Sequence, residues 1–222
     1  MNDAEIESLY TVGHSSHTWD QLVELLRRHA IAAVVDVRSS PYSRYCPQFN
    51  REGLAAGLGA AHIEYVFMGD VLGARSDDAS CYVGGRISFA KMAESPRFSD
   101  GIERLRRKMR ERRTAILCSE KDPLECHRAI LICRHLRQFP VRIRHILEDG
   151  RLESPPASES RLVRQLRIEP SLFDADAVGG RCETGYALCL DPGGKRMVCF
   201  MLDGKSAMTA DAGKAWTPVK NI

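Results

Sequence analysis

The chain contains 222 residues, with a hydrophobic fraction of 44% and a formal net charge of +3. No apolar run approaches the ~20 residues that a membrane helix needs, and the acidic start of the chain lacks the basic and apolar regions of a signal peptide. We therefore expect a cytoplasmic protein without a membrane span, in which most of the eight scattered cysteines are buried, reduced thiols.

The N-terminal segment predicts a β-α-β unit. Leu9–Gly13 and Ala32–Val37 are short apolar runs that are typical of buried strands. Between them, Trp19–His29 has the apolar spacing of a helix, and Thr18 is expected to cap it with Gln21 as its partner. A helical crossover between two strands predicts that the strands are parallel.

The middle of the chain alternates further strands and helices. A loop at residues 38–50 precedes a helix over Arg51–Leu58, which we expect Asn50 to cap. His62–Val66 is predicted to be a strand. Met68–Arg86 is long, polar and rich in glycine, which is typical of functional loops or disordered segments.

Two helices are predicted next, over Phe89–Ala93 and Ser99–Arg112, with Ser99 as the cap of the second. The stretch Arg104–Arg113 is densely basic. A basic helix can bind phosphate groups or nucleic acid, but it can also be the solvated outer face of a helix that covers a sheet. Both interpretations stay open.

A buried strand, a polar loop and a helix are predicted in the segment from Thr114 to Leu131. Thr114–Cys118 is the strand, and Cys126, His127 and Arg128 are expected in the first turn of the helix. Reactive side chains between the carboxyl end of a parallel strand and a helix N-terminus lie where open α/β sheets bind ligands. A further strand is predicted at Arg142–Ile146.

The remaining residues differ in character. A linker is predicted at residues 154–160 and a short amphipathic helix at residues 161–168. Two apolar segments, Tyr186–Leu190 and Met197–Met201, flank the turn sequence Asp191–Gly194 and predict a hairpin.

We therefore expect an α/β fold with a mostly parallel sheet flanked by helices, in a Rossmann-like three-layer arrangement. Residues 1–152 would form this domain. Residues 153–222 would form a small C-terminal α+β extension that contains the hairpin and packs on the core. The oligomeric state is not predicted.

Parallel strands would bring polar residues from three distant segments to one sheet edge. The candidate catalytic residues are His14, Asp36, Glu120 and Cys126. The candidate substrate-binding residues are Ser15, Arg38, Arg44, Ser119, His127 and Arg128.

Each candidate has a structural alternative. Asp36 lies in an apolar strand, so its carboxylate must be paired, for structure or for catalysis. The arginines Arg38 and Arg44 could bind a phosphate or carboxylate, or could neutralise Asp36 and Glu120. His14 and Ser15 could act on a ligand or only cap their loop, and Glu120 could be a general base.

Cys126 is the strongest candidate for a reactive group. A helix N-terminus together with His127 and Arg128 would lower the pKa of its thiol and favour a nucleophile or a metal ligand. The alternative is a thiol that only packs in a buried helix. Cys118, Cys126, His14 and His127 could gather a metal ion, but their spacing matches no standard zinc pattern. No metal ligand is therefore predicted, and the cofactor is left open.

At these residues the sequence resembles domain-of-unknown-function family 488 over roughly residues 10–150. The resemblance implies a compact α/β domain and marks Gly-His-Ser, Asp-Val-Arg and Cys-His-Arg as shared segments. The matching pieces are Thr11–Ser15, Val35–Arg38, Pro41, Ser43-Arg44, Phe49-Asn50, Ile63–Tyr65, Leu72-Gly73, Leu117–Pro123, Cys126–Arg128 and His145-Ile146.

The function we expect is an enzyme-like site that binds an anionic or phosphorylated small molecule, such as a nucleotide or a nucleic-acid component, at the carboxyl edge of the sheet. Two alternatives remain. One is a non-catalytic module that binds a ligand, or binds nucleic acid through Arg104–Arg113. The other is metal-dependent chemistry at Cys126 and His127.

Overall fold

The computed structural model describes residues 7–165, 185–190, 196–202, 206–210 and 217–219. The chain divides into two compact units, Met1–Pro155 and Pro156–Ile222. In chain order the described strands are β1 (Glu7–Gly13), β2 (Ala33–Asp36), β3 (Glu64–Phe67), β4 (Tyr82–Val83), β5 (Arg86–Ile87), β6 (Thr114–Cys118), β7 (Val141–Ile146), β8 (Leu152–Glu153), β9 (Gly185–Leu190), β10 (Arg196–Leu202), β11 (Ser206–Ala210) and β12 (Thr217–Val219).

The helices connect these strands in the alternating order that the sequence predicts. The described α-helices are α1 (Trp19–Arg28), α2 (Arg51–Ala60), α3 (Gly69–Leu72), α4 (Phe89–Glu94), α5 (Pro96–Glu111), α6 (Arg134–Leu136) and α7 (Pro155–Gln165). Short 3-10 turns cover Pro47–Phe49, Ala79–Cys81 and Pro123–Glu125, and a π-helix covers Arg128–Cys133.

A six-stranded sheet forms the centre of the first unit, within the described residues. Its strand order is β3-β2-β6-β1-β7-β8. The five strands up to β7 are parallel, and only β8 runs antiparallel to its neighbour. The central strands β2 and β6 are short and buried along their whole length because both faces of the sheet are covered there.

Two apolar cores cover the two faces of this sheet. Leucines of α1 and α2 pack with Tyr10, Val34 and Leu117 on one face. Helix α5 and the π-helix pack on the other face with the alternate strand residues Val35 and Ile116. This is a three-layer α/β arrangement, so the predicted fold class is confirmed.

The structure confirms one predicted capping interaction and corrects two other predicted caps. Thr18 and Gln21 form the predicted capping box of α1. Helix α5 begins earlier than expected, because Ser95 caps it and Pro96 fits its first turn, so Ser99 lies inside the helix. Asn50 precedes α2 as predicted, but its side chain accepts a hydrogen bond from the Ser43 backbone instead of capping the helix.

Two segments expected to be irregular contain regular structure. The predicted loop Met68–Arg86 includes the short helix α3, a 3-10 turn and the start of the β4–β5 hairpin. The predicted linker at residues 154–160 is mostly the first part of α7. Prolines are tolerated in the first helical turn, where the missing backbone N–H has no helical partner to lose.

The second unit contains a four-stranded antiparallel sheet of order β12-β11-β10-β9 among the described residues. Strands β9 and β10 pair with Arg196 opposite Leu190, which confirms the predicted hairpin pairing. The turn sequence Asp191–Gly194 lies outside the described residues, as does the predicted end of the helix at Ile168. The packing of this unit on the first remains a prediction.

Candidate functional site

The candidate site lies at the carboxyl ends of β1, β2 and β6, which are adjacent in the sheet. The helices after β1 and β2 cover one face of the sheet, and the π-helix after β6 covers the other. The chain therefore leaves neighbouring strands towards opposite faces, and in open α/β sheets ligands bind at strand ends of this kind. The topology places chemistry-bearing residues at these strand ends.

Four side chains converge there, and we call them the thiol cluster. The Sγ atoms of two cysteines, a histidine ring nitrogen and a carboxylate oxygen all lie within 4.8 Å of one another. Cys126 Sγ lies 3.0 Å from Glu120 Oε2. The four members are Cys118, Glu120, Cys126 and His127.

Local backbone structure produces this convergence. Cys118 is the last residue of β6, and the 3-10 turn at Pro123–Glu125 returns the chain towards the strand end. Cys126 is extended, with φ −127° and ψ 137°, and directly precedes the helical segment. Cys126 therefore precedes the first helical turn, and the prediction that it lies within that turn is wrong. Its carbonyl accepts hydrogen bonds from the backbone N–H groups of Ala129 and Ile130.

A backbone carbonyl directly after β2 orients the His127 ring. Its Nε2 lies 3.1 Å from the carbonyl of Val37, so this nitrogen carries a proton and donates it. The other ring nitrogen, Nδ1, then faces the two thiols. It lies 3.6 Å from Cys118 Sγ and 3.9 Å from Cys126 Sγ.

The pKa values of the cluster favour a thiolate at Cys126. Burial opposes ionisation, but the hydrogen bond from Cys118 and the charges of Arg128 and His127 outweigh it and hold the pKa of Cys126 well below its usual value. Burial also works against protonation of His127, yet contact with the Cys126 thiolate raises the pKa of that imidazole. Both shifts favour charge separation between the Cys126 sulfur and the His127 ring.

The other two members have the opposite tendency. The Cys118 thiol donates to Cys126 and is itself buried, so its pKa is raised well above the usual value. Burial, followed by the negative charge of Cys126, raises the pKa of Glu120. These opposite shifts favour negative charge on Cys126 over Cys118 and Glu120.

Arg128 stabilises this charge from inside the protein. Its side chain is fully buried and donates to the carbonyls of Glu120 at 2.6 Å and Lys121 at 3.0 Å. Its backbone N–H lies 3.5 Å from Cys126 Sγ. Arg128 therefore holds the loop after β6 in place, and its side chain faces the protein interior.

A second buried network lies beside the thiol cluster. Arg38 donates to both carboxylate oxygens of Asp36, at 2.9 Å from Nε and 2.7 Å from Nη2. Tyr65 donates to the same carboxylate at 2.9 Å, and Arg38 also donates to the Phe49 carbonyl. Of the two alternatives for Arg38, the structure therefore shows neutralisation of Asp36.

His14 joins this network as a neutral ring. Its Nε2 accepts from Arg38 at 3.1 Å and its Nδ1 donates to the Ser15 carbonyl at 3.0 Å. Burial and then the charge of Arg38 lower the pKa of His14 to about 4. Both ring nitrogens are engaged within the protein, and His14 lies outside the thiol cluster.

The remaining sequence candidates lie at the edge of the site or away from it. Ser15 has a left-handed backbone, with φ 45°, and its N–H donates to the carbonyl of exposed Ser119 at 2.9 Å. Arg44 is exposed and stacks on Tyr45, so it is not brought to Asp36 or Glu120.

Three contributions escaped sequence reasoning. Tyr65 satisfies Asp36 from the neighbouring strand, and Val37 supplies only a backbone carbonyl. Gly13 allows the loop after β6 to approach closely, because a Cβ there would lie 1.9 Å from the Glu120 carbonyl oxygen. Of these three contributions, only that of the glycine before His14 could have been predicted from the sequence, because the contributions of Tyr65 and Val37 depend on the order of the strands.

The basic helix is extensively paired with acidic residues. Arg106 and Arg110 both contact Glu7, at 3.1 Å and 2.8 Å. Lys108 contacts Glu64 at 2.9 Å. These pairs fit the interpretation of α5 as a sheet-covering helix, and nucleic-acid binding through Arg104–Arg113 stays an untested prediction.

Comparison with known proteins identifies one family. The sequence model described as "Domain of unknown function DUF488" matches residues 18–134, which is more than half of the 222 residues and includes the whole thiol cluster. The expected resemblance is thereby confirmed. No curated protein and no solved structure matches the chain. None of the described helices is long and apolar enough to cross a membrane.

Proposed function

The chain belongs to the DUF488 family, and we propose that its thiol cluster is the metal centre of an enzyme. The observation that carries the proposal is the convergence of four donor atoms within 4.8 Å of one another. Two thiols and an imidazole favour a thiophilic divalent ion such as Zn²⁺.

The two sulfur–nitrogen distances are close to those around a tetrahedral ion. Zinc bonds of about 2.3 Å to sulfur and about 2.0 Å to nitrogen imply a separation of about 3.5 Å between those two ligand atoms. His127 Nδ1 lies 3.6 Å from Cys118 Sγ and 3.9 Å from Cys126 Sγ. Only small side-chain adjustments would complete the coordination.

The surroundings also resemble those of metal sites. A ligating histidine usually donates its second ring N–H to a carbonyl or carboxylate, which fixes the tautomer. His127 does this with the Val37 carbonyl. The backbone N–H of Arg128 points to Cys126 Sγ and stabilises the thiolate form that a metal ligand requires.

The composition of the cluster favours catalysis over a purely structural role. Structural zinc sites are closed by four cysteine or histidine ligands, whereas catalytic sites have three protein ligands, among them carboxylates, and leave the fourth position to water or substrate. The thiol cluster has three sulfur or nitrogen donors and one carboxylate oxygen. The ion would polarise a substrate or activate a water molecule.

We extend the proposal to a small anionic substrate. The guanidinium groups of Arg38 and Arg128 are engaged by Asp36 and by backbone carbonyls. The ion itself would then supply the positive charge that an anion needs. This assigns the anion-binding role, expected for the arginines, to the metal centre.

The proposal is tested by metal analysis of protein purified without chelators. We expect about one equivalent of a thiophilic metal in the wild type, and its loss in Cys118→Ala and Cys126→Ala. Cys133→Ala is the matched control, because Cys133 is also buried and its thiol lies outside the thiol cluster. Folded wild-type protein that binds no added Zn²⁺ or Co²⁺ would refute the metal centre.

A second candidate is direct catalysis by Cys126 as a nucleophile, which its lowered pKa favours. Under this alternative, iodoacetamide alkylates Cys126 of metal-free protein at a rate that stays constant as the pH falls below the usual thiol range. A rate that rises with pH as for an ordinary thiol would exclude a stable thiolate. Protection of Cys126 by added Zn²⁺ would favour the metal centre.

The cytoplasm is the compartment that we propose for this chemistry. The described cysteines Cys46, Cys81, Cys118, Cys126 and Cys133 are free thiols. Thiols persist in the reducing cytosol and tend to form disulfides in oxidising compartments.

A further inference from the structure

The members of the thiol cluster differ in their exposure to solvent. Cys118, Cys126 and His127 are 3%, 1% and 7% exposed, whereas Glu120 is only partly buried. A water molecule or a substrate can therefore reach a bound ion most directly from the side of Glu120.

The three buried donors are held by the fold. Cys118 ends a central strand, with Gly13 as its partner across the sheet. His127 is fixed through its hydrogen bond to the Val37 carbonyl. Cys126 is held between the 3-10 turn and the helical segment, and its carbonyl receives two helical N–H groups.

Glu120 combines a fixed backbone with a side chain that can move. Its carbonyl is held by Arg128 at 2.6 Å and packs closely against Gly13. Its carboxylate contacts the thiols, with Cys126 Sγ at 3.0 Å, and its own backbone N–H, which is a local contact. Rotation of the side chain would leave the loop and the other three donors in place.

The chemistry of the donors agrees with this asymmetry. A carboxylate is a harder ligand than thiolate or imidazole, so it is the weakest partner for a thiophilic ion. Two thiolates neutralise a divalent ion. A centre without Glu120 is therefore uncharged, and a monoanion in place of Glu120 gives the ion and its ligands the same net charge as Glu120 does.

We propose that Glu120 is the exchangeable ligand of this centre: it leaves the ion to a water molecule or a small monoanion, while the other three members of the thiol cluster stay bound. This inference rests on the proposed metal centre. The substrates that it selects bind the ion through a single anionic or carbonyl oxygen, or through a monodentate nitrogen.

Cobalt(II) and azide provide a test that needs no known substrate. Full-length wild-type protein, Glu120→Ala and the control Glu94→Gln are loaded with Co²⁺ and titrated with sodium azide. Glu94 is exposed at the end of α4 and lies outside the thiol cluster. The visible d–d bands report the coordination of cobalt, and the sulfur-to-cobalt charge-transfer band reports the thiolates.

We expect azide to shift the d–d bands of the wild type and the control in a saturable way, without loss of the charge-transfer band. Glu120→Ala should keep the charge-transfer band, and its d–d bands should differ from those of the wild type before azide is added. It should bind azide several-fold more tightly than the wild type, because no carboxylate competes for the ion. Glu120→Ala should lose less affinity for cobalt than Cys126→Ala loses. The loss in Cys126→Ala should exceed the ~10–100-fold loss that is typical of removing an outer-shell partner.

The outcomes separate the two proposals. Absence of the charge-transfer band in the wild type would overturn the metal centre itself. A normal charge-transfer band with d–d bands that ignore azide in both the wild type and Glu120→Ala would overturn only the exchangeable ligand. A loss of cobalt in Glu120→Ala as large as in Cys126→Ala would also overturn it, since Glu120 would then be a permanent ligand.

Discussion

Asp36 and Arg38 show how single residues near the site are constrained by burial. The Asp36 side chain is 0% exposed and the Arg38 side chain 4%, and they are joined by a 2.7 Å ion pair. Burying charges at such depth is costly unless they are paired and hydrogen-bonded. Here Tyr65, His14 and the Phe49 carbonyl complete the hydrogen bonds.

Asp36→Asn should therefore lower the free energy of unfolding by about 3–5 kcal/mol, because Arg38 is left as a buried charge without its counter-ion. Urea denaturation measures the loss. Glu24→Gln is the control, since it breaks the exposed Glu24–Arg28 pair and should cost less than about 1 kcal/mol. Equal losses in the two variants would show that the buried pair is not constrained as described.

Stability should also depend on pH through the buried histidines. The pKa values of His14 and His145 are each lowered to about 4, mainly by burial. An unfolded histidine has a pKa near 6.5, so between about pH 6.5 and pH 4 the unfolded chain binds more protons than the folded chain. The stabilisation from the neutral rings is complete above that window and is lost as the pH falls through it.

Each of these histidines should contribute a slope of about 1.4 kcal/mol per pH unit to the free energy of unfolding in that window. Urea unfolding at several pH values would measure the total slope. His145→Asn should remove the share of His145, so a variant with the wild-type slope would contradict its buried, neutral state.

At the scale of elements, the loop after β6 depends on a close approach to the end of β1. The Glu120 carbonyl lies close to the position that a Cβ of residue 13 would take, and the Arg128 side chain donates a hydrogen bond to the same carbonyl. The positions of Glu120 and Cys126 therefore depend on Gly13, which is not one of the proposed metal ligands.

Gly13→Ala should displace this loop and weaken metal binding, since a Cβ would lie 1.9 Å from the Glu120 carbonyl oxygen and 3.1 Å from Arg128 Nη1. Overpacking of this kind costs about 1–3 kcal/mol. In Gly59→Ala, by contrast, the Cβ meets nothing within 4 Å inside α2, and helix stability should rise by up to about 1 kcal/mol. Zinc affinity and urea denaturation measure both effects; unchanged zinc binding in Gly13→Ala would contradict the role of the close approach.

The sequence predicts the elements better than the contacts between them. Buried apolar runs identified the parallel strands β1, β2 and β6, and their order places the polar residues at one edge. The orientation of each side chain depends on tertiary packing, which short-range patterns do not encode. Arg38 and Arg128 therefore look like ligand-binding residues in the sequence, although the fold directs them to Asp36 and to backbone carbonyls.

At the scale of the whole molecule, the thiol cluster lies entirely within one of the two compact units. All four members belong to Met1–Pro155. The same unit contains the six-stranded sheet and both apolar cores that position the site. None of the four donors of the proposed metal centre therefore comes from β9–β12.

A chain that ends at Gln165 should fold and bind Zn²⁺ with the affinity of the full-length protein. It keeps α7 complete and removes the antiparallel sheet. Calorimetric titration of both proteins with Zn²⁺ would compare them, and circular dichroism would verify that the shortened chain is folded. A large loss of affinity in a folded shortened chain would show that residues 166–222 contribute to the centre.

The proposed metal centre illustrates what the whole-molecule view adds to the sequence. Cys118 and Glu120 are separated from Cys126 and His127 by a loop, so their spacing matches no standard zinc pattern. Strand β6 and the 3-10 turn bring the two pairs together, and β2 contributes the Val37 carbonyl that orients the histidine. Sequence alone placed His14 in the set, where the structure places Glu120.

The π-helix at Arg128–Cys133 has a consequence for comparing relatives of this chain. A π-helical turn is wound with i→i+5 hydrogen bonds and arises when one residue is inserted into an α-helix. A relative with a regular α-helix here could keep Cys126 and the buried Leu136 in the same places only by lacking one residue between them. A one-residue gap in this stretch of an alignment would then record a change in helical winding, although it would look like the loss of part of a motif.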